Sequence, residues 1–471
     1  MTTFEDPITT YHATGGIENL SHNTMRETRR ANGENNCRQT GFGVDTGQRK
    51  WICIAGVLIQ LCLGTIYAWS IFKNPFMTLH GWTDTQTQGA FMIQSAVFGF
   101  SVAFGGAIVD RRGPRQVGLF GGVIFGIGLA LAGYANTVGS MLLLYLSYGI
   151  LSGLGGGLGY ICPVTTLIRW FPDKRGLITG LAVMGYGLGA FVMGNIGPVL
   201  ILKVGLSGTF YIWGFVTLII VTSMMVLMVN PPESWLPKMD GLDANVYATL
   251  ANPITLSGAI RTRQFWTMWV IVFITISSGL GLISQISPMA QDLMVSGFGD
   301  AISEDKMNSI ILFSGTIVAL AGVFNGTGRI FWAWMSDMMG RKAILACIYI
   351  IQALGYFMLA RTQQVWVFTV IVCCLVACYG GVLSCMPAMA ADQFGAKHIG
   401  KIYGLLFTAN ALSGLAGPFI NAYIKDVTNS FGAALNLEAG MMALGLLLVV
   451  TFTSTRPSIS SESVNGPGGV R

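Results

Sequence analysis

Residues Asp110–Arg115 read DRRGPR, and residues Asp337–Lys342 read DMMGRK. Each follows a long apolar run, and the two begin 227 residues apart. A second echo has almost the same spacing. GGGLGYICPVTTLIRWF (155–171) is matched by YGGVLSCMPAMAADQF (379–394), with Pro163 and Pro387 224 apart and Phe171 and Phe394 223 apart. The chain is therefore read as a duplication. In both motifs the acid closes a helix, the glycine permits a tight turn and the basic residues follow. Asp110 and Asp337 are placed to tie neighbouring helix ends together in one conformational state. This makes Asp110, Arg111, Gly113, Arg115, Asp337, Gly340 and Arg341 candidate gating residues.

The apolar runs decide the class. The 471 residues are 52% hydrophobic and 10% charged, where a soluble domain carries about 25% charged residues. The runs are about 20 residues long, the length that spans ~30 Å of hydrocarbon as helix. The 62 glycines suit close packing of membrane helices. Twelve spans are predicted: 51–72, 88–109, 116–135, 141–164, 177–200 and 209–229 in the first half, then 265–290, 309–336, 343–360, 365–388, 402–424 and 434–454 in the second. The fold class is all-α: a membrane protein of two pseudo-symmetric six-helix halves, 50–229 and 265–454. Such a duplication places a binding site near the midplane between the halves. Residues 230–264, with Pro231, Pro232 and Pro237, read as a solvated linker. The tails 1–49 and 455–471 have compositions that bury no core.

Orientation follows from lysine and arginine in the short loops. With the N-terminus cytoplasmic, the inner loops and linker hold Arg111, Arg112, Arg115, Arg169, Lys174, Arg175, Lys238, Arg261, Arg263, Arg341, Lys342, Lys397 and Lys401. The outer loops hold only Lys73, Lys203, Lys306, Arg361 and Lys425. Both termini are predicted to be cytoplasmic, in a multi-pass protein of the plasma membrane.

Enzyme motifs are weak or missing. GLGGGLG (153–159) lies inside a membrane helix with no preceding strand, so it reads as close packing rather than a dinucleotide loop. The chain contains neither a P-loop nor an HExxH sequence. GLSG (205–208) is similar to the serine motif of intramembrane proteases, but His12, His22, His80 and His398 all fall outside the predicted spans. Of the nine cysteines all but Cys37 lie in apolar runs, without a paired metal spacing. The expectation is no enzyme, no cofactor, no metal and no nucleic-acid partner.

FNGTGRIFWAWMSD (324–337) places Arg329 eight residues, roughly 12 Å, inside its helix end. Three readings compete. The side chain can snorkel, but its reach of about 6–7 Å falls short. It can pair with an acid, but no span carries one at that depth; Asp392 and Glu438 are read as helix-end residues. Or it can face a cavity and bind an anion, for which the planar guanidinium offers two parallel donors. The third reading is preferred. Asn325 lies one turn before Arg329, and Gly322 and Gly326 leave space. Tyr67, Trp69, Tyr160, Tyr186 and Tyr379 recur in the helices expected to line the cavity.

GTIYAWSIFKNP, RWFPDKRGLITG, GYGLG and NGTGRIFWAWMSDMMGRK resemble the oxalate/formate antiporter family of the major facilitator superfamily, over nearly all of 51–454. The resemblance implies a monomer that moves small carboxylates by alternating access. It also implies that the family's substrate arginine falls on Arg329 and its site aromatics on Tyr67, Tyr160 and Tyr186, with Tyr379 and Phe407 at further aromatic positions. One position departs: the family's eleventh-helix lysine is here Asn410, in YGLLFTANALSG. With one buried cation, a dianion such as oxalate leaves the loaded site charged, whereas formate, lactate or pyruvate leaves it neutral. The expected function is a secondary transporter of small carboxylates, by antiport or proton symport. The alternative is a membrane sensor that binds a carboxylate without net transport.

Overall fold

A computed structural model of the chain describes residues 46–171, 175–231, 254–296, 303–394 and 399–452. The expected tails, except residues 46–49, and most of the expected linker lie outside these. The chain divides into Met1–Trp51, described only as the opening of a helix, and Ile52–Arg471, which holds everything that follows.

The described residues are helical, and the chain is an integral multi-pass membrane protein. Eleven of its helices are long and apolar enough to cross a membrane. The longest, Arg175–Met225, is two spans joined at Gly205, whose φ of 74° and ψ of 174° break the helix. Among the described residues the count of spans is therefore twelve. Phe104, Phe120, Leu142, Phe215 and Val370 are each more than half exposed. That is the reverse of a water-soluble surface, and it suits a lipid-facing one.

Several spans run past their predicted ends. The first is helical over Thr46–Gly64, tightens into a 3₁₀ turn at Thr65–Ala68 and resumes over Ser70–His80. The seventh breaks in the matching place, between Arg263–Ile283 and Ile286–Val295. The second is Asp84–Arg112, the eighth Glu304–Met339 and the tenth Val365–Phe394. The fourth passes through a π-helical stretch, Tyr145–Leu151, into Ser152–Trp170. The eleventh is Ile399–Leu406 and Thr408–Thr428, broken at Phe407; the ninth is Arg341–Leu359 and the twelfth Gly432–Thr451.

The duplication is visible in the backbone. Gly113 has φ 81° and ψ 156°, and Gly340 has φ 88° and ψ 143°. Both lie where a side chain would be strained, so each motif needs glycine for its turn. The halves meet along two pairs of spans, the second with the eleventh and the fifth with the eighth. The approach is close. A Cβ on Gly99 would come within 2.7 Å of the Ala411 backbone, and one on Gly187 within 2.8 Å of the Gly326 backbone. The run 153–159 does similar work within one half, where Gly155 sits against the Phe125 backbone and Gly157 against Ser101.

Candidate functional site

Arg329 is 1% exposed, ten residues, roughly 15 Å, from the Met339 end of the eighth span. Its Nε donates to Asn325 Oδ1 at 3.1 Å, so the residue one turn back fixes the plane of the guanidinium. Its Nη2 is buried and has no hydrogen-bond partner among the described residues. No carboxylate pairs with it among the described residues. Gly380 of the tenth span makes room, because a Cβ there would fall 2.5 Å from the Asn325 carbonyl and 3.0 Å from Arg329 Cγ. A buried cation with a free, directed donor is costly as it stands, by several kcal/mol in order of magnitude. An anion would supply the missing acceptor and the opposite charge.

Tyrosines from both halves surround this donor. The charge of Arg329 acts on Tyr160, Tyr186, Tyr379 and Tyr403. Tyr67 and Tyr379 share a hydrogen bond between their hydroxyls at 3.1 Å, across the boundary between the halves. Tyr67 meets Tyr186 edge to face at 5.0 Å, and Tyr186 meets Tyr160 in the same way at 5.3 Å. Tyr160 stacks on Phe407 at 6.5 Å, again across the boundary. The structure thus brings Arg329, Asn325, Tyr67, Tyr160, Tyr186, Tyr379 and Phe407 into one group. Asn410 is buried one turn beyond them; its backbone N–H donates to the Phe407 carbonyl at 3.0 Å, and among the described residues no hydrogen bond engages its side chain. Trp69 belongs elsewhere, stacked on Phe76 and Phe91.

The sequence does not single out two members of the group. Phe98 packs on Tyr160 at 5.4 Å and Tyr186 at 5.7 Å, and Tyr403 on Phe407 at 5.9 Å. Tyr403 and Phe407 also wall a small apolar cavity with Val272, Ile276, Met386 and Leu406. In a chain with 27 phenylalanines and 14 tyrosines, nothing local separates these rings from ordinary packing.

At the end of the bundle away from the motifs, the halves are latched. The sequence places Lys73 in an outer loop; the structure instead buries it completely in the helical extension of the first span. There it pairs with Asp84 and donates to Gln285 of the seventh span. Gln285 Nε2 closes the triangle on Asp84 Oδ1 at 3.0 Å. Asn74 donates to Gln291 at 2.6 Å. Asp426, ending the eleventh span, accepts the backbone N–H groups of Asp84 at 3.0 Å and Thr85 at 2.8 Å, and so caps the second span from the opposite half. Among the described residues, Lys73 is thus a second buried cation, but a neutralised one, and Arg329 is left without a carboxylate partner.

At the motif end, Arg341 Nη2 lies 2.5 Å from Asp337 Oδ1 and Arg341 Nε lies 3.4 Å from Asp392 of the tenth span. Arg341 also reaches Ser336. Arg111 and Arg115 are exposed. The side chain of Asp110 lies outside what the structure describes.

No base reaches Ser207 of GLSG among the described residues. Its hydroxyl accepts from Asn136 Nδ2 at 2.8 Å and bonds to Thr137 at 3.0 Å. His80 bonds to the other end of the Asn136 amide at 2.9 Å, so the amide stands between histidine and serine. An amide does not relay a proton from serine to histidine, and the hydroxyl is left unactivated.

The family model described as Major Facilitator Superfamily matches residues 52–418 and 302–468. An uncharacterised MFS-type transporter of Escherichia coli K12, YhjX, is 27% identical over 361 residues, 76% of this chain and 84% of its own. The oxalate:formate antiporter of Oxalobacter formigenes is 26% identical over 82% of this chain and 87% of its own. Human monocarboxylate transporter 11 is 23% identical over 75% of this chain and 72% of its own.

Proposed function

The chain belongs to the major facilitator superfamily, and we propose that it is a secondary transporter whose cargo is a small monocarboxylate of the formate, lactate or pyruvate type. The observation that carries this reading is the buried Arg329 guanidinium, held by Asn325 on one side and unpartnered at Nη2 on the other. A carboxylate meets that demand with two charge-assisted hydrogen bonds. One negative charge neutralises the one unpaired cation; a second would remain uncompensated in a dry cavity. The apolar cavity beside Tyr403 and Phe407 suits a methyl group better than a second carboxylate. The names of two similar proteins, an oxalate:formate antiporter and a monocarboxylate transporter, support the substrate class.

The halves rock about this site. The motif end is cytoplasmic in this reading, so Lys73, Asp84 and Gln285 close the outer face, and the Asp337–Arg341–Asp392 cluster belongs to the inner gate. Substrate bridging Arg329 of one half and the tyrosines of the other lowers the cost of the passage between states. The protein acts as a monomer in the plasma membrane, with both termini inside and no cofactor.

The test is counterflow in proteoliposomes. Vesicles preloaded with unlabelled lactate, pyruvate or formate should accumulate the labelled anion transiently, and preloading with a neutral sugar should not. If no carboxylate of a broad panel gave counterflow with correctly inserted protein, the substrate reading would be wrong.

A further inference from the structure

Glu438 is 2% exposed, six residues into the twelfth span. Its Oε1 accepts a hydrogen bond from Asn421 Nδ2 of the eleventh span at 2.7 Å. The remaining atoms of this pair, Glu438 Oε2 and Asn421 Oδ1, are both buried and both without a partner among the described residues. An ionised carboxylate and an amide oxygen are acceptors only. Two buried acceptors left over from one amide and one carboxyl depart from the rule that buried polar groups are hydrogen-bonded. One proton resolves both. Placed on Oε2, it turns that atom into a donor whose natural acceptor is Asn421 Oδ1.

The surroundings favour the neutral acid. No cation pairs with Glu438 among the described residues. The titratable group that feels it is the Tyr356 phenol of the ninth span, ordinarily uncharged. Lys425, one turn beyond Asn421, is taken up by Asp292. On the seventh span the pair rests on Gly281, where a Cβ would fall 2.4 Å from Asn421 Nδ2 and 2.7 Å from Glu438 Oε1. The position is built to hold this amide and this carboxyl, and it offers no counter-charge.

We propose that Glu438 and Asn421 form a proton-binding site, in which the protonated carboxyl and the amide exchange two hydrogen bonds in a closed ring. Gly281 lies one turn before Gln285, which contacts Lys73 and Asp84 at the latch. The proton is therefore held by the helices that close the far end of the bundle. Losing it would leave a lone carboxylate against the seventh span, so the latched conformation binds the proton more tightly than one in which these helices part. The ligand is the proton alone, and the site is separate from the Arg329 chamber.

Infrared spectroscopy of the purified protein in lipid tests this without any transport substrate. At neutral pH the wild type should show the carbonyl stretch of a protonated carboxylic acid, and Glu438→Gln should lack that component. The glutamine amide can donate to Asn421 Oδ1 and accept from Nδ2 in place of the acid, so this variant should fold as the wild type does. Asn421→Ala should keep the band but shift it to the frequency of a carbonyl with fewer hydrogen bonds. Identical spectra for wild type and Glu438→Gln would overturn the protonated state, and an unshifted band in Asn421→Ala would overturn the ring. Failure of either leaves the carboxylate reading of the Arg329 chamber untouched, because counterflow tests that separately.

Discussion

Arg329 gives its Nε to Asn325 Oδ1 at 3.1 Å and keeps Nη2 free, so the residue one turn back aims the guanidinium and leaves its outer edge for a ligand. If that edge grips the substrate, Arg329→Ala should abolish counterflow while the protein still reaches the membrane. Arg329→Lys should recover only a small part, because an ammonium supplies charge without the planar pair of donors. Wild-type uptake by the alanine variant would remove Arg329 from the site.

The hydroxyls of Tyr67 and Tyr379 join the two halves next to this arginine. A neutral hydrogen bond of this kind nets about 1 kcal/mol, or a factor of about five in an equilibrium. Tyr67→Phe and Tyr379→Phe should each change apparent substrate affinity by roughly that factor. Because both remove the same bond, the double variant should add little to either single one. Fully additive effects would show that each hydroxyl has its own separate partner, for instance the substrate.

At the far end, Lys73 and Asp84 are a buried ion pair. Removing one partner of such a pair leaves the other charge buried alone, at a cost of about 3–5 kcal/mol. Asp84→Asn should therefore lower the unfolding midpoint in detergent markedly. Lys73→Met combined with Asp84→Asn should recover much of the loss, since neither charge remains. If the double variant is less stable than Asp84→Asn alone, the pair is not what holds Lys73 in place.

The second motif acts on turnover in this scheme. Asp337→Asn removes the partner 2.5 Å from Arg341 but leaves Asp392 within 3.4 Å. Transport should slow while substrate affinity of the purified protein changes little. A loss of affinity as large as the loss of rate would contradict a gating role.

How much of this was readable in advance depends on how local each cause is. Span positions were readable because about 20 apolar residues must run together to cross a bilayer. The turn at Gly113 and Gly340 was readable because a positive φ demands glycine within a short motif. Arg329 stood out because a charge in an apolar run has few explanations. Lys73 did not, because it sits near a helix end, where lysine is common. Its burial is set by Gln285, 212 residues away, and by an acid across a turn. From sequence Glu438 reads as a helix-end acid for the same reason. Its place against Gly281 and Asn421 is a matter of how the seventh, eleventh and twelfth spans pack. Phe98 and Tyr403 were hidden among aromatics of identical chemistry.

Asn410 should set the charge preference of the chamber. It is buried one turn beyond Phe407, whose ring stacks on Tyr160, and among the described residues no hydrogen bond engages its side chain. Lys73, the other buried cation, is neutralised by Asp84, so it adds no charge to the count at Arg329. The asparagine amide can still donate a hydrogen bond to the keto or hydroxyl oxygen of a pyruvate- or lactate-like anion. Asn410→Lys adds the second cation that a dianion needs. Competition against labelled substrate should then shift toward oxalate and away from monocarboxylates, by about tenfold for each 1.4 kcal/mol of added attraction. The new ammonium would be partly buried, and an empty site would favour its neutral form. The shift should therefore be larger at lower pH, where the lysine is fully charged. A wild type that already prefers oxalate to every monocarboxylate would defeat the charge count and require another cation in the site.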